Sequence, residues 1–329
     1  MPSSTVLTFS DPYEFQTMNR DVQHKVVVTA RGAYRGQTTL IGIRRLFIRR
    51  GWQSLPTIWH AATLKERSAV VFPTSQKPGT WEGVEVQPGD IFFRPQGGEH
   101  HVQSTENMHY GSLSSTADDL AAFGASLVGR DLNKPPGSRV MRPQPAAMSR
   151  LLRLHEAAGH LAETAPEVLA IPAVAKGMEQ ELICAMVACL TDATAMNTCR
   201  PSQQMVLRRF EQVLEANQDQ PLYMPEICAA IGVPGRTLRH LCQEHLGMSP
   251  HRYFWLRRMN QARCALTLAD PRAKTVTEVA ANHGFWEFGR FAVTYKQLFG
   301  EAPSVTLRRP PDDRRSNGTA MRLVSQEPA

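Results

Sequence analysis

The sequence predicts an α+β chain of 329 residues: a β-rich first third, folded as a small barrel or sandwich, followed by helices. Three observations carry this prediction. Before about Ser115, short runs rich in Val, Ile, Thr and Phe alternate with Gly and Pro. From Ala117 onward, apolar residues recur at spacings of three and four, the period of a half-buried helix. In the last third, one plan of short helix, glycine and longer helix occurs twice, with Gly232 and Gly284 about fifty residues apart.

The expected strands are Lys25–Thr29, Thr38–Arg44, Leu46–Arg49, Ala69–Pro73 and Asp90–Pro95. The helical pattern then runs through Leu120, Phe123 and Leu127, through Met148, Leu151, Leu152, Leu154 and His155, and through Leu182, Met186, Cys189 and Leu190. Pro135-Pro136-Gly137 and Pro143-Gln144-Pro145 divide it. Residues 1–115 are therefore read as a barrel and 116–190 as helices that pack on it or pair with a second subunit. Residues 191–201 (TDATAMNTCRP) are polar and without period, as in a linker. Helical periodicity resumes over 202–309, and the polar tail 310–329 is expected to be disordered.

Composition removes several classes of protein. Apolar residues make up 42% and charged residues 20%, which excludes wholesale disorder. The longest strictly apolar run, Leu182–Leu190, is nine residues, against the roughly 20 that span a bilayer. Met1–Ser10 lacks a basic start and an apolar core, so no secretory signal is expected and the predicted compartment is the cytoplasm. The six cysteines, at positions 184, 189, 199, 228, 242 and 264, form no C-x-x-C pair and read as reduced, small core residues. The formal charge is +7, and fourteen basic against nine acidic residues between Pro201 and Pro310 put most of the excess in the last third. That excess permits an anionic partner without proving one.

In the first repeated unit, Met224–Ile231 turns Ile227 and Ile231 inward, Cys228 is small enough for a tight crossing, and Gly232 supplies a turn that needs positive φ. Val233 plugs the corner. A second helix from about Pro234 faces Leu238, Leu241 and Leu246 to the core, leaving Arg236, Arg239, His240 and Gln243 outside. In the second unit Val276–Ala281 precedes Gly284-Phe285. The longer helix then buries Phe291, Tyr295, Leu298 and Phe299 and presents Phe288, Gly289, Arg290, Ala292, Val293 and Lys296. One helix, about His251 to Leu268, joins the units through Tyr253, Leu256, Met259, Ala262 and Leu266, with Arg252, Arg257, Arg258 and Arg263 off that stripe.

Over roughly these last 105 residues the chain resembles the AraC family of bacterial transcription regulators. The matching residues include Gly232, Gly247-x-Ser249-Pro250, Tyr253, Arg258, Ala262 and Ala280, then Gly284-Phe285, Phe291, Tyr295-Lys296, Phe299-Gly300 and Pro303. Gly284–Leu307 further resembles a subgroup that includes ethanolamine-operon regulators, through Trp286, Gly289 and the Pro303-Ser304-x-Thr306-Leu307 ending. Glu287, where relatives often carry His, and Cys228, where they often carry Ala, depart from the pattern. The resemblance implies operator DNA, RNA polymerase and a small-molecule effector as partners, in a homodimer that acts as an activator. Two helices held about 34 Å apart would enter successive major grooves. Arg236, Arg239, His240, Gln243, Phe288, Gly289, Ala292 and Val293 are the expected base readers, the last four by shape or thymine methyls. Arg257, Arg258, Arg290 and Lys296 are the expected phosphate contacts.

Upstream, Pro88-Gly89-Asp90-x4-Pro95-x-Gly97-x2-His100 resembles the second cupin motif, with Ser104 where Asn is usual. The first motif of metal cupins is missing, and His60 stands alone in its stretch. A lone His is a poor metal site, so neither a metal nor another cofactor is expected. The expectation is a cupin-like sensing barrel with Trp59, Trp81, Phe92, His100 and His101 around an effector. The chain reads as a DNA-binding regulator and not an enzyme. The alternatives are a cupin enzyme fused to a DNA-binding tail and a regulator that needs no effector.

Overall fold

Alternation along the N-terminal strands builds two antiparallel sheets rather than a closed barrel. The structure, a computed structural model, describes residues 3–14, 24–62, 66–77, 79–133, 137–196, 201–217 and 222–309. The predicted disorder of 310–329, Pro135-Pro136 of the expected break, and Cys199 lie outside the described residues. The first sheet is ordered β1 (Ser3–Phe9), β3 (Gly36–Ile43), β4 (Leu46–Gln53), β11 (Met108–Thr116), β6 (Arg67–Pro73), β9 (Ile91–Arg94), β12 (Arg139–Arg142), β13 (Thr194–Ala195). The second is β2 (His24–Val28), β5 (Thr57–Ala62), β10 (Glu99–Gln103), β7 (Gly79–Trp81), β8 (Val84–Val86). No ladder joins them among the described residues, so the barrel expectation is corrected to a pair of facing sheets. Register between distant strands decides closure, and no local pattern encodes it.

The period of two then sorts side chains into layers. On β4, Leu46 and Ile48 face a helical layer while Arg49 and Gln53 face the second sheet. On β9, Ile91 and Phe93 go to the helices, and Phe92 and Arg94 to the space between sheets. The helical layer is α1 (Ala117–Val128), α2 (Pro145–Thr164), α3 (Pro166–Leu169) and α4 (Pro172–Thr191). Thr116 caps α1, its hydroxyl accepting from Asp119 N–H at 3.1 Å, and Gly129 closes it at φ 70°. Leu120, Leu151, Leu182, Met186 and Cys189 share one core with the first sheet. His155 is buried there as well, its Nε2 donating to the Arg49 carbonyl at 2.9 Å. Part of the expected linker is ordered: Thr194 and Ala195 pair with Arg142 and Met141 as β13.

The remaining helices are α5 (Pro201–Ala216), α6 (Met224–Ile231), α7 (Gly235–Leu246), α8 (Pro250–Leu268), α9 (Val276–Asn282), α10 (Phe288–Phe299) and α11 (Pro303–Arg308). Their common core takes in Val27 and Ile58 from the second sheet. The helical domain is thus docked on the outer face of that sheet, and the space between sheets lies on its other face. Of the described cysteines, Cys189 and Cys242 are fully buried, and burial pushes each thiol up to about 12. All five are free thiols, three of them half-buried.

Candidate nucleic-acid interface and ligand cavity

The first unit folds as its sequence dictates. α6 stops at Gly232, whose φ of 73° a side chain rarely adopts and whose N–H donates to the Cys228 carbonyl at 3.0 Å. Leu238, Leu241 and Leu246 bury one face of α7, and Arg236, Arg239, His240 and Gln243 are exposed on the other. His240 lies 3.7 Å from Glu244, one turn on. The second unit opens with a reciprocal cap. Glu278 N–H donates to the Thr275 hydroxyl at 3.2 Å, and Thr275 N–H donates to the Glu278 carboxylate at 2.7 Å. Phe291, Tyr295, Leu298 and Phe299 are buried on α10, and Phe288, Gly289, Arg290, Val293 and Lys296 are exposed, with Ala292 half-buried. Trp286, at the start of this face, is 79% exposed.

α8 joins the units through buried Tyr253, Leu256, Met259, Ala262 and Leu266. Two expected phosphate contacts on it are corrected. Arg257 is buried, ion-paired through Nη1 with Glu211 and through Nη2 with Glu215 at 2.7 Å, so it is unavailable to DNA. Its place off the apolar stripe is covered by α5, which contributes both carboxylates. Arg258 is also turned inward. Its Nε donates to the His283 carbonyl at 2.6 Å, and its guanidinium lies 4.8 Å from the Phe285 ring centre and 5.4 Å from that of Phe254. It packs directly on Gly284, at φ 71°, so that glycine is required both by backbone and by this close approach. Arg258 clamps the second turn. Arg290 and Lys296 are exposed as expected.

Between the two sheets lies a cavity of about 610 Å³, its open mouth included. Trp59, Trp81, Phe92 and His100 line it, four of the five residues expected there. His101 does not. Neighbours on a strand point oppositely, so on β10 His100 enters the cavity and His101 enters the interface with the helical domain. The sequence reading missed Arg49, Arg94 and Tyr110, which also line the cavity. Tyr110 pairs with Gly51 across β11 and β4, and its ring occupies the place of the side chain that Gly51 lacks. Gln53, Thr57 and Ser104 form a polar knot at one end: the Ser104 hydroxyl accepts from Thr57 N–H at 2.8 Å, and Gln53 accepts from Trp59 Nε1 at 3.2 Å. Arg94 Nη1 contacts His100 Nε2. Burial, and then the neighbouring Arg49, bring the Arg94 guanidinium down to about 9. The signal was an arginine at the cavity-facing parity of its strand, Arg49 on β4 and Arg94 on the otherwise apolar β9.

On the sheet's outer face, His60 is not solitary. Its ring stacks on His101 with centres 4.7 Å apart, and Glu211 of α5 lies 3.3 Å from His101 Nε2 and 4.0 Å from His60 Nδ1. One ligand atom from each of the three lies within 4.8 Å of the others. Glu211 also accepts from the Tyr253 hydroxyl at 2.6 Å and from Arg257. Burial alone would raise the Glu211 carboxyl, but Arg257 and the two imidazoles hold it well below the usual carboxylate range. Because Arg257 already neutralises Glu211, the cluster is a polar latch between sheet and helices rather than a prepared dication site. Nearby, Val28 N–H donates to Asn260 Oδ1 at 3.1 Å, Glu99 lies 3.5 Å from Arg208, and Arg263 pairs with Asp11.

Comparison with known proteins agrees with the helical geometry. Residues 227–309 match the family model of a helix-turn-helix domain. A probable thc operon regulatory protein of Rhodococcus erythropolis is 37% identical over 163 residues, 49% of this chain and 49% of that protein. XylDLEGF operon transcriptional activator 3 of Pseudomonas putida is 35% identical over 101 residues, 31% of this chain and 30% of that one. The chain therefore spans half or less of these relatives' length. Among solved structures, the AraC-like transcriptional activator CuxR has a TM-score of 0.42 at 15% identity, covering 80% of this chain and 96% of that one. A probable AraC family regulator from Rhodopseudomonas palustris has a TM-score of 0.29 at 33% identity, covering 32% and 98%. Residues 227–309 are therefore a helix-turn-helix domain.

Proposed function

We propose that the chain is a sequence-specific DNA-binding transcription regulator, acting in the cytoplasm as an activator whose cavity between sheets holds a small-molecule effector. One observation carries the reading: two exposed helix faces, each following a glycine in left-handed conformation, are fixed to each other by one helix. Arg236, Arg239, His240 and Gln243 read bases by hydrogen bonds, Arg239 by the bidentate geometry that guanine O6 and N7 accept. Phe288, Gly289, Ala292 and Val293 read methyl groups or groove shape. Arg290 and Lys296 hold phosphates. Residues 202–309 form the reading domain, 1–115 the sensing domain, and helices within 116–190 the contact between two subunits. RNA polymerase is the further partner of an activator, and the chain has no catalytic role.

The second sheet supports the effector reading. One of its faces walls the cavity, and the other carries the reading domain. A molecule in the cavity that packs better against one arrangement of this sheet shifts the docking equilibrium by its difference in affinity for the two arrangements. The test is selection of bound duplexes from a random-sequence pool by the full chain. The expected outcome is enrichment of two short motifs with centres about one helical turn, roughly 10 base pairs, apart. A selected pool without sequence preference would remove the proposal.

A further inference from the structure

We propose that the second sheet braces the two reading units against each other, so that the docked chain reads two short motifs at one fixed spacing. The inference rests on the DNA-binding reading above and adds what sets the distance between the motifs. The sheet runs from edge strand β2 to edge strand β8, and it reaches one unit from each side. On the β8 side, Gly83 in the turn between β7 and β8 packs on the last turn of α7, where a side chain on it would start 2.9 Å from His245 Cε1. Gln103, at the end of β10, lies against Gly247, which closes the same helix at φ 67°. On the β2 side, the loop that follows Val28 meets the last turn of α10. There Gly32 N–H donates to the Leu298 carbonyl at 3.0 Å, and Gly300, which closes that helix at φ 79°, faces Gly32 and Ala33. Asn260 of α8 holds both backbone groups of Val28, accepting from its N–H at 3.1 Å and donating to its carbonyl at 3.3 Å.

The last carbonyls of a helix have no partner within it. The N-terminal domain supplies one for α10, so docking satisfies an acceptor of the second unit as well as burying surface. α8 by itself is a single connection between the units, and bodies joined by one element move relative to each other unless a further interface holds them. The sheet is that further interface, and relative motion of the units requires breaking its contacts on one side. These contacts fall on the C-terminal ends of both reading helices and leave the outer faces clear. With the sheet in place, Arg236, Arg239 and Gln243 on α7 and Phe288, Arg290 and Val293 on α10 are exposed. The docked state is therefore the reading state. One base pair added between the motifs shifts the second by about 3.4 Å and turns it by about a tenth of a helical turn. A braced pair of units cannot follow that shift, whereas a pair joined by α8 alone follows it by bending.

The experiment measures affinity of the full chain for the duplex that the wild type selects, and for duplexes with the two motifs one base pair closer or further apart. The wild type should lose about tenfold at each changed spacing. Gly83→Asn keeps the left-handed turn, which Asn tolerates, and drives a side chain between the sheet and α7. Asn260→Leu removes both bonds to Val28. In each variant the loss at changed spacing should shrink to about threefold or less, as the units become free to adjust. Gly97→Asn puts the same residue in another left-handed turn of the N-terminal domain, at φ 67° with nothing within 4 Å, and should keep the wild-type loss. Each ratio compares duplexes on one preparation, so partial unfolding lowers every affinity and leaves the ratio unchanged. A wild-type loss retained in both Gly83→Asn and Asn260→Leu, or a wild type indifferent to spacing, would overturn the brace and leave DNA reading intact. A wild type that selects no motif would strike the regulator reading, and the brace with it.

Discussion

The two faces of the second sheet handle buried cations in opposite ways. On the docking face, Arg257 lies between Glu211 and Glu215 and Arg263 meets Asp11, with Glu301 3.3 Å away. Burial opposes the charge on Arg257 and Arg263, but the carboxylates win and hold both guanidinium groups above their usual range. On the cavity face, burial wins. Arg49 and Arg94 are both lowered, the latter to about 9, and no Asp or Glu is among the described residues that line the space. The difference separates two uses of the same residue type. A cation set against carboxylates on the docking face keeps its charge, whereas a cation facing the mostly apolar cavity carries the cost of burial.

The largest expected effect tests the docking face. Glu211→Gln removes the charge that Arg257, His101 and His60 share, and leaves cations of the interface short of a partner. Breaking a buried pair in this way costs about 3–5 kcal/mol, with Glu215 retaining part of the contact. Chemical denaturation of the full chain should show a loss in that range. A loss within error of zero would mean that the latch is ornamental and that apolar contacts through Val27 and Ile58 alone hold the domains.

The comparison extends to cations that the fold leaves in solvent. Arg239→Ala should lower affinity for the selected DNA by about 1–3 kcal/mol and relax preference at one base pair. Lys296→Ala should weaken selected and scrambled duplexes alike and reduce the salt slope by about one. Equal weakening on both DNAs by Arg239→Ala, or loss confined to the selected site for Lys296→Ala, would reverse the assignment of reader and anchor.

A smaller effect concerns pH. Burial lowers His60 below its usual 6.5, against the pull of Glu99 at 3.6 Å and Glu211, with the stacked His101 adding to the lowering. The folded chain therefore binds fewer protons at this site than the unfolded chain. Its contribution is complete above about pH 6.5 and is lost as pH falls through the lower folded value. Glu211 stays ionised over that window, since its carboxyl is held far below it. Between pH 7.5 and 5.5 the melting temperature of the wild type should fall more than that of His60→Gln. Parallel curves would show that His60 protonates without cost to the docked state.

The C-terminal helical domain was legible in the sequence because its determinants are local. Gly232 and Gly284 mark turns at positive φ, and Leu238, Leu241, Phe291 and Tyr295 repeat at helical spacing. Its two failures, Arg257 and Arg258, have nonlocal causes. Periodicity on α8 shows which face is most apolar, but not that α5 covers a second face with Glu211. The N-terminal region was legible as strands, and four of its five proposed cavity residues line one cavity. Its closure was misread because strand register pairs residues far apart, such as Tyr110 with Gly51. His60, His101 and Glu211 come together from separate strands and a helix, a juxtaposition that no spacing rule contains.

The opposite treatment of cations on the two faces is tested most directly by one substitution made twice. In the ligand-free full chain, the melting temperatures of Arg94→Met and Arg257→Met are compared with that of the wild type. Replacing a buried cation by an apolar side chain of similar length removes a desolvation cost at Arg94, while at Arg257 it strands the Glu211 carboxylate. The account predicts a rise for Arg94→Met, equivalent to about 1 kcal/mol or more, and a fall of several degrees for Arg257→Met. A fall of similar size in both would show that the cavity arginines are structural partners like those of the interface, and would contradict the account.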